Sequence, residues 1–273
     1  MTAPWSELLL ERCGLALRES QRPVLADLLQ ARTAALGLDG DAAYFAALQR
    51  EDDTGTEWSE VVDRLVSHET SFFRHAESFE ALRRHVLPAL RGRDAIGLHH
   101  LSLCSAGCST GEEAYSLAMV ALAEDEGGAF DVWGADMSRR ALDTARRARY
   151  SARAIAAIPV GYRRFVAAAA DGGYAIADEV KRRVRFMSAN LAASCGMFMS
   201  YDLIVCQNVL IYFAAAAVPR ALATLASRLT PGGFLILGPG EAPAVCPPGL
   251  EPVALNGVRA FRRVGRAARE VRS

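Results

Sequence analysis

The chain of 273 residues is long enough to bury a full core, as one large domain or as a larger and a smaller one. Half of it is hydrophobic (51%) and 23% is charged, proportions that suit a folded globular protein and exclude a largely disordered one. Thirty-one basic residues balance thirty-one acidic ones, so no global field attracts a polyanion and nucleic acid is not an expected partner.

The first 66 residues read as helices only. In "WSELLLERCGLALRES" the residues Leu8, Leu9, Leu15 and Leu17 recur near helical spacing, and Ser6 is placed to cap the start. "PVLADLLQARTAAL" repeats the pattern after Pro23 and stops at Gly37, and "DAAYFAALQRED" and "EWSEVVDRLV" supply two further helices. Twelve carboxylates face six arginines across this segment, which leaves it net acidic. A solvated helix surface accounts for that charge most simply.

From residue 99 the rhythm becomes strand, helix, strand, helix. "HHLSLC" precedes a helix that ends at Glu124; "FDVWGAD" precedes "SRRALDTARRARY"; "VRFMSANL" and "YDLIVCQN" follow, and "VPRALATLASRL" leads into "GGFLILG". This alternation predicts an α/β fold: a mostly parallel sheet with helices on both faces. In "EPVALNGVRAFRRV" the pair Asn256 and Gly257 tolerates the positive φ of a tight hairpin, so the last two strands are expected to be antiparallel. Residues 150–186 break the alternation with a helical stretch and a hairpin near Gly172 and Gly173. The expected organisation is an all-helical N-terminal domain over 1–66 and a main domain over 67–273 that carries an insertion at about 150–186. The basic end, "RRVGRAAREVRS", is expected to fray.

No apolar stretch reaches the ~18 residues of a membrane span before Arg, Asp or Pro interrupts it, and no signal peptide is read at the start. Cys13, Cys104, Cys108, Cys195, Cys206 and Cys246 show no CxxC spacing and read as thiols of a reducing cytoplasm. Cys104 and Cys108 lack a second ligand pair, so no metal is expected. The default expectation for assembly is a monomer.

Chemistry concentrates in "CSAGCSTGEEAYSLAM", residues 104–119. In open parallel sheets a ligand sits beyond the carboxyl ends of the strands, and Gly107, Ser109 and Gly111 follow such an end. Glu112 and Glu113 in the first helical turn would repel a pyrophosphate, which argues against a dinucleotide. The second strand ends in Asp136, where an acidic residue commonly accepts hydrogen bonds from ribose hydroxyls. Together these features suit a nucleoside without phosphates and with a positive charge, such as S-adenosyl-L-methionine.

"HETSFFR" at 68–74, "SAGCSTGEEAYSLAM", "WGADMS", "SANL" at 188–191, "YDLIVCQNVLIYF" at 201–213 and "LTPGGFLILGPGE" stand in an order that resembles the CheR family of chemotaxis receptor methyltransferases. The resemblance runs from about residue 65 to 241 and implies a Rossmann-like S-adenosyl-L-methionine fold, the insertion looking like the family's small β subdomain. It implies methyl transfer from S-adenosyl-L-methionine to glutamate side chains in the cytoplasmic region of methyl-accepting chemoreceptors. The products would be glutamyl methyl esters and S-adenosyl-L-homocysteine. The implied location is the cytoplasm, with recruitment to membrane-bound receptor arrays and no insertion into the membrane.

Carried over motif by motif, the implied cofactor contacts are His68, Thr70, Arg74, Glu113 and Asp136, then Asn190 and Leu191 beside the adenine, and Gln207 and Asn208 after the fourth strand. His68 stands where the family often has Asn, and Gln207 where it usually has Arg. Relatives dock on acidic receptor helices through a basic N-terminal face, whereas this one is net acidic. A glutamate acceptor is already ionised at neutral pH, so the reaction needs alignment and no general base. Arg74 and Tyr212 are the candidates for that alignment, Tyr212 as donor to the acceptor carboxylate, Arg74 as a fork to it or to the cofactor's carboxylate. The competing readings are a methyltransferase for another protein or a small molecule, and a non-catalytic cofactor-binding signalling module.

Overall fold

The computed structural model describes residues 2–52, 55–93, 100–125, 127–170, 172–193, 196–197, 199–241, 243 and 246–265. Four helices open the chain: α1 (Thr2–Cys13), α2 (Arg22–Leu36), α3 (Asp41–Arg50) and α4 (Thr56–Leu65). Pro23 lies in the first turn of α2, where its missing N–H costs nothing, and Gly37 closes that helix in the left-handed region. Trp5, Leu9, Tyr44, Leu48 and Trp58 interlock as a buried cluster, with the Trp58 indole donating to the Leu48 carbonyl at 3.2 Å. Each such side chain contributes about 1.5–3 kcal/mol by leaving water.

The first helix differs from expectation. It begins at Thr2 and ends at Cys13, so Ser6 lies inside it and does not cap it, and Leu15 and Leu17 fall outside. The cause is remote in sequence: Gly14 turns the backbone at φ +70°, and Leu15 then pairs with Phe213 as an isolated antiparallel bridge. Residues 76–91, to which the sequence reading assigns no element, are helical as well, as α5 (Ala76–Ala81), a π-turn over Leu82–Val86, and α6 (Leu87–Arg91).

The alternating part follows as β1 (Leu101–Ala106), α7 (Glu112–Glu124), β2 (Phe130–Asp136) and α8 (Arg139–Arg147), the last capped by the Ser138 hydroxyl. The insertion contributes β3 (Arg149–Tyr150), α9 (Ala152–Ala156), β4 (Val166–Ala168), β5 (Tyr174–Ile176) and α10 (Asp178–Lys181), its strands forming a small antiparallel sheet in the order β3-β5-β4. The chain ends in β6 (Val184–Ser188), β7 (Tyr201–Cys206), α11 (Val218–Ser227), β8 (Leu229–Leu237), β9 (Leu250–Leu255) and β10 (Val258–Arg263). From residue 266 onward the basic end expected to fray lies outside the described residues.

The main sheet has the order β6-β2-β1-β7-β8-β10-β9. Its first five strands are parallel, and β10 runs antiparallel to both β8 and β9 through the Asn256–Gly257 turn, as expected. Side chains alternate along each strand: Leu203, Val205, Phe234 and Ile236 enter the core on one face, and Ile204, Cys206, Leu235 and Leu237 that on the other. Strand order reverses between β1 and β7, and such a switch point leaves a crevice beyond the strand ends.

Candidate functional site

That crevice is a cleft of about 980 Å³, part of it open to solvent. All ten residues singled out in the sequence line it: His68, Thr70 and Arg74 from the segment before α5; Glu113 from the first turn of α7; Asp136 from the end of β2; Asn190 and Leu191 after β6; Gln207 and Asn208 after β7; and Tyr212.

The bend after β1 ties itself to β2. The Asp136 carboxylate accepts from the Ser109 N–H at 2.8 Å through one oxygen and from the Ser138 N–H at 2.8 Å through the other. Burial raises the Asp136 pKa above the ordinary carboxylate value, against the opposing pull of those two N–H groups and of His68. Each oxygen keeps a lone pair for a ligand hydroxyl. The glycines need a different account from the one expected. A Cβ on Gly111 would stand 2.8 Å from that of Ala145, and Gly111 does not line the cleft, so it serves helix packing and not close approach to a ligand. Gly107 does line the cleft and turns at φ +79°, but its missing side chain makes room for Val209.

The two carboxylates of the bend part company. Glu112 is buried away from the cleft and accepts from the Thr110 hydroxyl at 2.6 Å. Glu113 faces the cleft and accepts from the Ser105 hydroxyl at 2.7 Å. Burial pushes Glu113 up to about 7, aided by the nearby Glu241 carboxylate and opposed by the Ser105 hydrogen bond and Arg74. A cationic ligand group beside it would favour its ionised form.

Arg74 sits on a backbone held in an unusual shape. Phe73 and His75, on either side of it, have φ of 51° and 61°. Ser109 and Asn208, both lining the cleft, are also at positive φ, so four of the six such non-glycine residues among the described residues belong to this region. Each costs of order 1–3 kcal/mol and persists only where the surroundings enforce it. Here Phe73 N–H donates to the Ser116 hydroxyl at 3.0 Å, and the His75 ring bonds the Asn208 amide oxygen at 2.7 Å. The Arg74 guanidinium donates to the Glu69 carbonyl at 2.8 Å. Thr70 caps no helix, because α5 starts only at Ala76.

His68 Nε2 stands 3.2 Å from an oxygen of Asp63, at ion-pair distance, and both atoms are buried. The Asp63 carboxylate raises the His68 pKa above the ordinary imidazole value, with Asp136 adding and burial opposing. Asn190 gives its amide N–H to the Arg12 carbonyl at 2.7 Å and accepts from Ala192 N–H at 3.0 Å. Gln207 donates to the Ser78 hydroxyl at 2.8 Å, and its buried oxygen has no partner among the described residues.

Sequence reasoning missed two features. One is Glu241, in the quoted "LILGPGE", whose buried carboxylate accepts from the N–H groups of Asn208 (2.8 Å), Gly238 (3.0 Å) and Ile211 (3.3 Å) and so holds the loop after β7. A carboxylate directly after a Gly-Pro-Gly turn is its signal. The other is an apolar wall made of Cys13 and Leu15 at and beyond the end of α1 and of Val62 and Val66 at the end of α4, for which no local pattern is a signal.

Among the described residues, no group of His, Cys, Asp and Glu side chains is placed to hold a metal ion, and no helix is long and apolar enough to cross a membrane. Cys13, Cys104, Cys108 and Cys206 are buried, whereas Cys246 is exposed, and Cys195 lies outside the described residues. Burial raises the Cys104, Cys108 and Cys206 pKa values, which disarms them as nucleophiles.

The arrangement fits a ligand with hydroxyls for Asp136, a cation for Glu113 and an apolar ring for Met137, Leu191 and Phe213. Comparison with known proteins shows the family. A family described as "CheR methyltransferase, SAM binding domain" matches residues 68–245. The chain is 31% identical, over its full length and 64% of the relative's, to a "Probable biofilm formation methyltransferase WspC" of Pseudomonas aeruginosa. A second WspC, of Pseudomonas putida, is 33% identical over 90% of this chain, which covers 57% of that relative. The chain thus spans only about three fifths of the length of these curated relatives. A "Chemotaxis protein methyltransferase" of Vibrio anguillarum is 31% identical over 87% of each chain. Among solved structures, a magnesium protoporphyrin IX methyltransferase from Synechocystis PCC 6803 with bound SAM aligns at 18% identity and TM-score 0.37, over 78% of this chain and 92% of the other. The Rossmann-like sheet, the cleft at its switch point and the matched residues place the chain in the CheR methyltransferase family, as an S-adenosyl-L-methionine-binding member.

Proposed function

We propose that this chain transfers a methyl group from S-adenosyl-L-methionine to glutamate side chains of chemoreceptors, forming glutamyl methyl esters. The observation that carries the reading is that Arg74 and Tyr212 share one cleft with the acidic cofactor groups Glu113 and Asp136. The cofactor supplies an electrophilic methyl on a sulfonium. In this reading Asp136 holds the ribose hydroxyls, Glu113 the ammonium, and Leu191 with Asn190 flanks the adenine. His68, Thr70, Gln207 and Asn208 complete the cofactor's surroundings. Arg74 holds a carboxylate, the acceptor's or the cofactor's.

Displacement at the methyl carbon needs the acceptor oxygen about 3–3.5 Å away and in line with the leaving sulfur. The acceptor is ionised at neutral pH, so no residue has to remove a proton. Tyr212 orients it by donating its phenol hydrogen. Incubation with S-adenosyl-L-methionine labelled in the methyl group and with receptor-bearing membranes tests this: label should be released as methanol by base. Stable label, or none, overturns it.

A second reading keeps the chemistry and changes the acceptor to a protein of another signalling system. The relatives named for biofilm formation favour it, as does the net acidic N-terminal segment. Purified receptor fragments that stay unlabelled, beside another labelled protein from the same cells, would select it. The expected organisation over 1–66 and 67–273 and a monomeric state are part of the same proposal, as is a cytoplasmic location with recruitment to receptors.

A further inference from the structure

Tyr212 lies between two parts of the chain, and most of what holds it comes from the far one. Beyond α1, residues 14–18 run across the loop after β7 as a short strap. Ala214 N–H donates to the Gly14 carbonyl at 2.9 Å, Ala16 N–H to the Tyr212 carbonyl at 3.1 Å, and the Arg18 guanidinium to the Ile211 carbonyl at 2.9 Å. The strap is anchored at its start, where the Arg220 guanidinium donates to the Glu11 carbonyl at 3.1 Å and Asn190 to the Arg12 carbonyl at 2.7 Å. Gly14 fits because it has no side chain: a Cβ there would stand 2.9 Å from the Phe213 ring and 3.0 Å from the Ala192 Cβ. The Tyr212 ring packs on the cluster formed by the opening helices, and its hydroxyl donates to the Ser67 carbonyl at 3.2 Å.

We infer that the strap and the Ser67 carbonyl position Tyr212 for methyl transfer, the strap fixing its backbone and Ser67 holding its hydroxyl until an acceptor carboxylate takes that hydrogen bond over. The inference rests on the role of Tyr212 proposed above. A phenol has one hydrogen to give, and here it is already given to a neutral carbonyl. A carboxylate forms the stronger, charge-assisted bond, so it displaces Ser67 by a rotation about the C–O bond while the ring stays where the strap keeps it. The opening helices then contribute to turnover directly, as one wall of the reaction site.

The test uses the full chain, labelled S-adenosyl-L-methionine and receptor-bearing membranes. Ala16→Pro deletes the N–H that bonds Tyr212, Ala16→Ser keeps it, and Arg18→Ala removes the second tie from an exposed residue whose loss does not threaten folding. A misplacement of about 1 Å costs about 100-fold in rate. We expect kcat to fall about 10- to 100-fold in Ala16→Pro and less in Arg18→Ala, with cofactor Kd within twofold of wild type and Ala16→Ser normal. Placed on Tyr212→Phe, either substitution should add little, because the strap acts through Tyr212. Unchanged kcat in Arg18→Ala and Ala16→Pro overturns the inference, and so does an equal fall in the Tyr212→Phe background or a loss of cofactor affinity that matches the loss of rate. If Ala16→Pro does not fold, the Arg18→Ala cycle alone decides. Wild-type protein that labels no membrane protein counts instead against the proposed function.

Discussion

The two walls of the cleft are built on different terms. The sheet side is polar and short-range: Asp136, Ser109, Glu113 and Ser105 lie within or just beyond neighbouring strands, and their hydrogen bonds follow from strand order. The helical side is apolar, with Leu15, Val62 and Val66, and its ties to the loop after β7 join residues nearly 200 positions apart. The sheet side therefore supplies the polar groups of the cleft, and the helical side supplies shape and holds Tyr212.

The sharpest break of this comparison is Trp58→Ala. Trp58 is 1% exposed at the centre of the helical cluster, and its loss should cost about 3–5 kcal/mol in denaturant unfolding. If the helical wall serves turnover, variants that retain the fold lose rate before cofactor affinity; the reverse order would erase the distinction. Next, Arg74→Ala and Tyr212→Phe should each lower kcat about 100-fold, with melting temperatures near wild type. Wild-type rates in both would remove the alignment role. On the sheet side, Asp136→Ala should weaken cofactor binding about 10- to 100-fold, the worth of hydrogen bonds to a charged group. Calorimetry showing unchanged affinity would take Asp136 out of the site.

Smaller still is a pH effect at Glu113. With its carboxyl up to about 7 in the free protein, binding a cation beside it must release a proton at lower pH. Cofactor affinity should then fall as pH drops below about 7, with a limiting slope of about tenfold per unit. Glu113→Gln should flatten that slope, and an unaltered profile would refute the assignment. The smallest effect belongs to His68. Its pKa is raised on folding by Asp63, so it stabilises the fold fully below the unfolded imidazole value and loses that contribution as pH rises through the folded one. The stability difference between wild type and His68→Asn should shrink on going from pH 5 to pH 8, and a constant difference would mean that the pair contributes nothing.

Strands were legible because alternating side chains such as Leu203, Ile204 and Val205 fill two opposite cores, a pattern local to the segment. The closing hairpin was legible because Asn256 and Gly257 carry the positive φ that their types allow. The end of α1 was not, because it depends on Phe213 and Asn190 meeting Gly14 and Arg12 from far along the chain. Helix α5–α6 has its apolar residues but carries no sharp start, its first residue following a His at positive φ. At the cleft, motif order brought ten residues to one place, yet the sequence offered no way to tell that Glu112 turns inward while Glu113 faces the ligand side, nor that Gly111 answers to Ala145.

The bridge between Leu15 and Phe213 also bears on biosynthesis. The four helices are synthesised before the strands and can bury Trp58 and Tyr44 early, but the segment that completes their far edge is made some 200 residues later. A nascent chain therefore carries a partly formed cleft until Phe213 has been made and folds back onto Leu15.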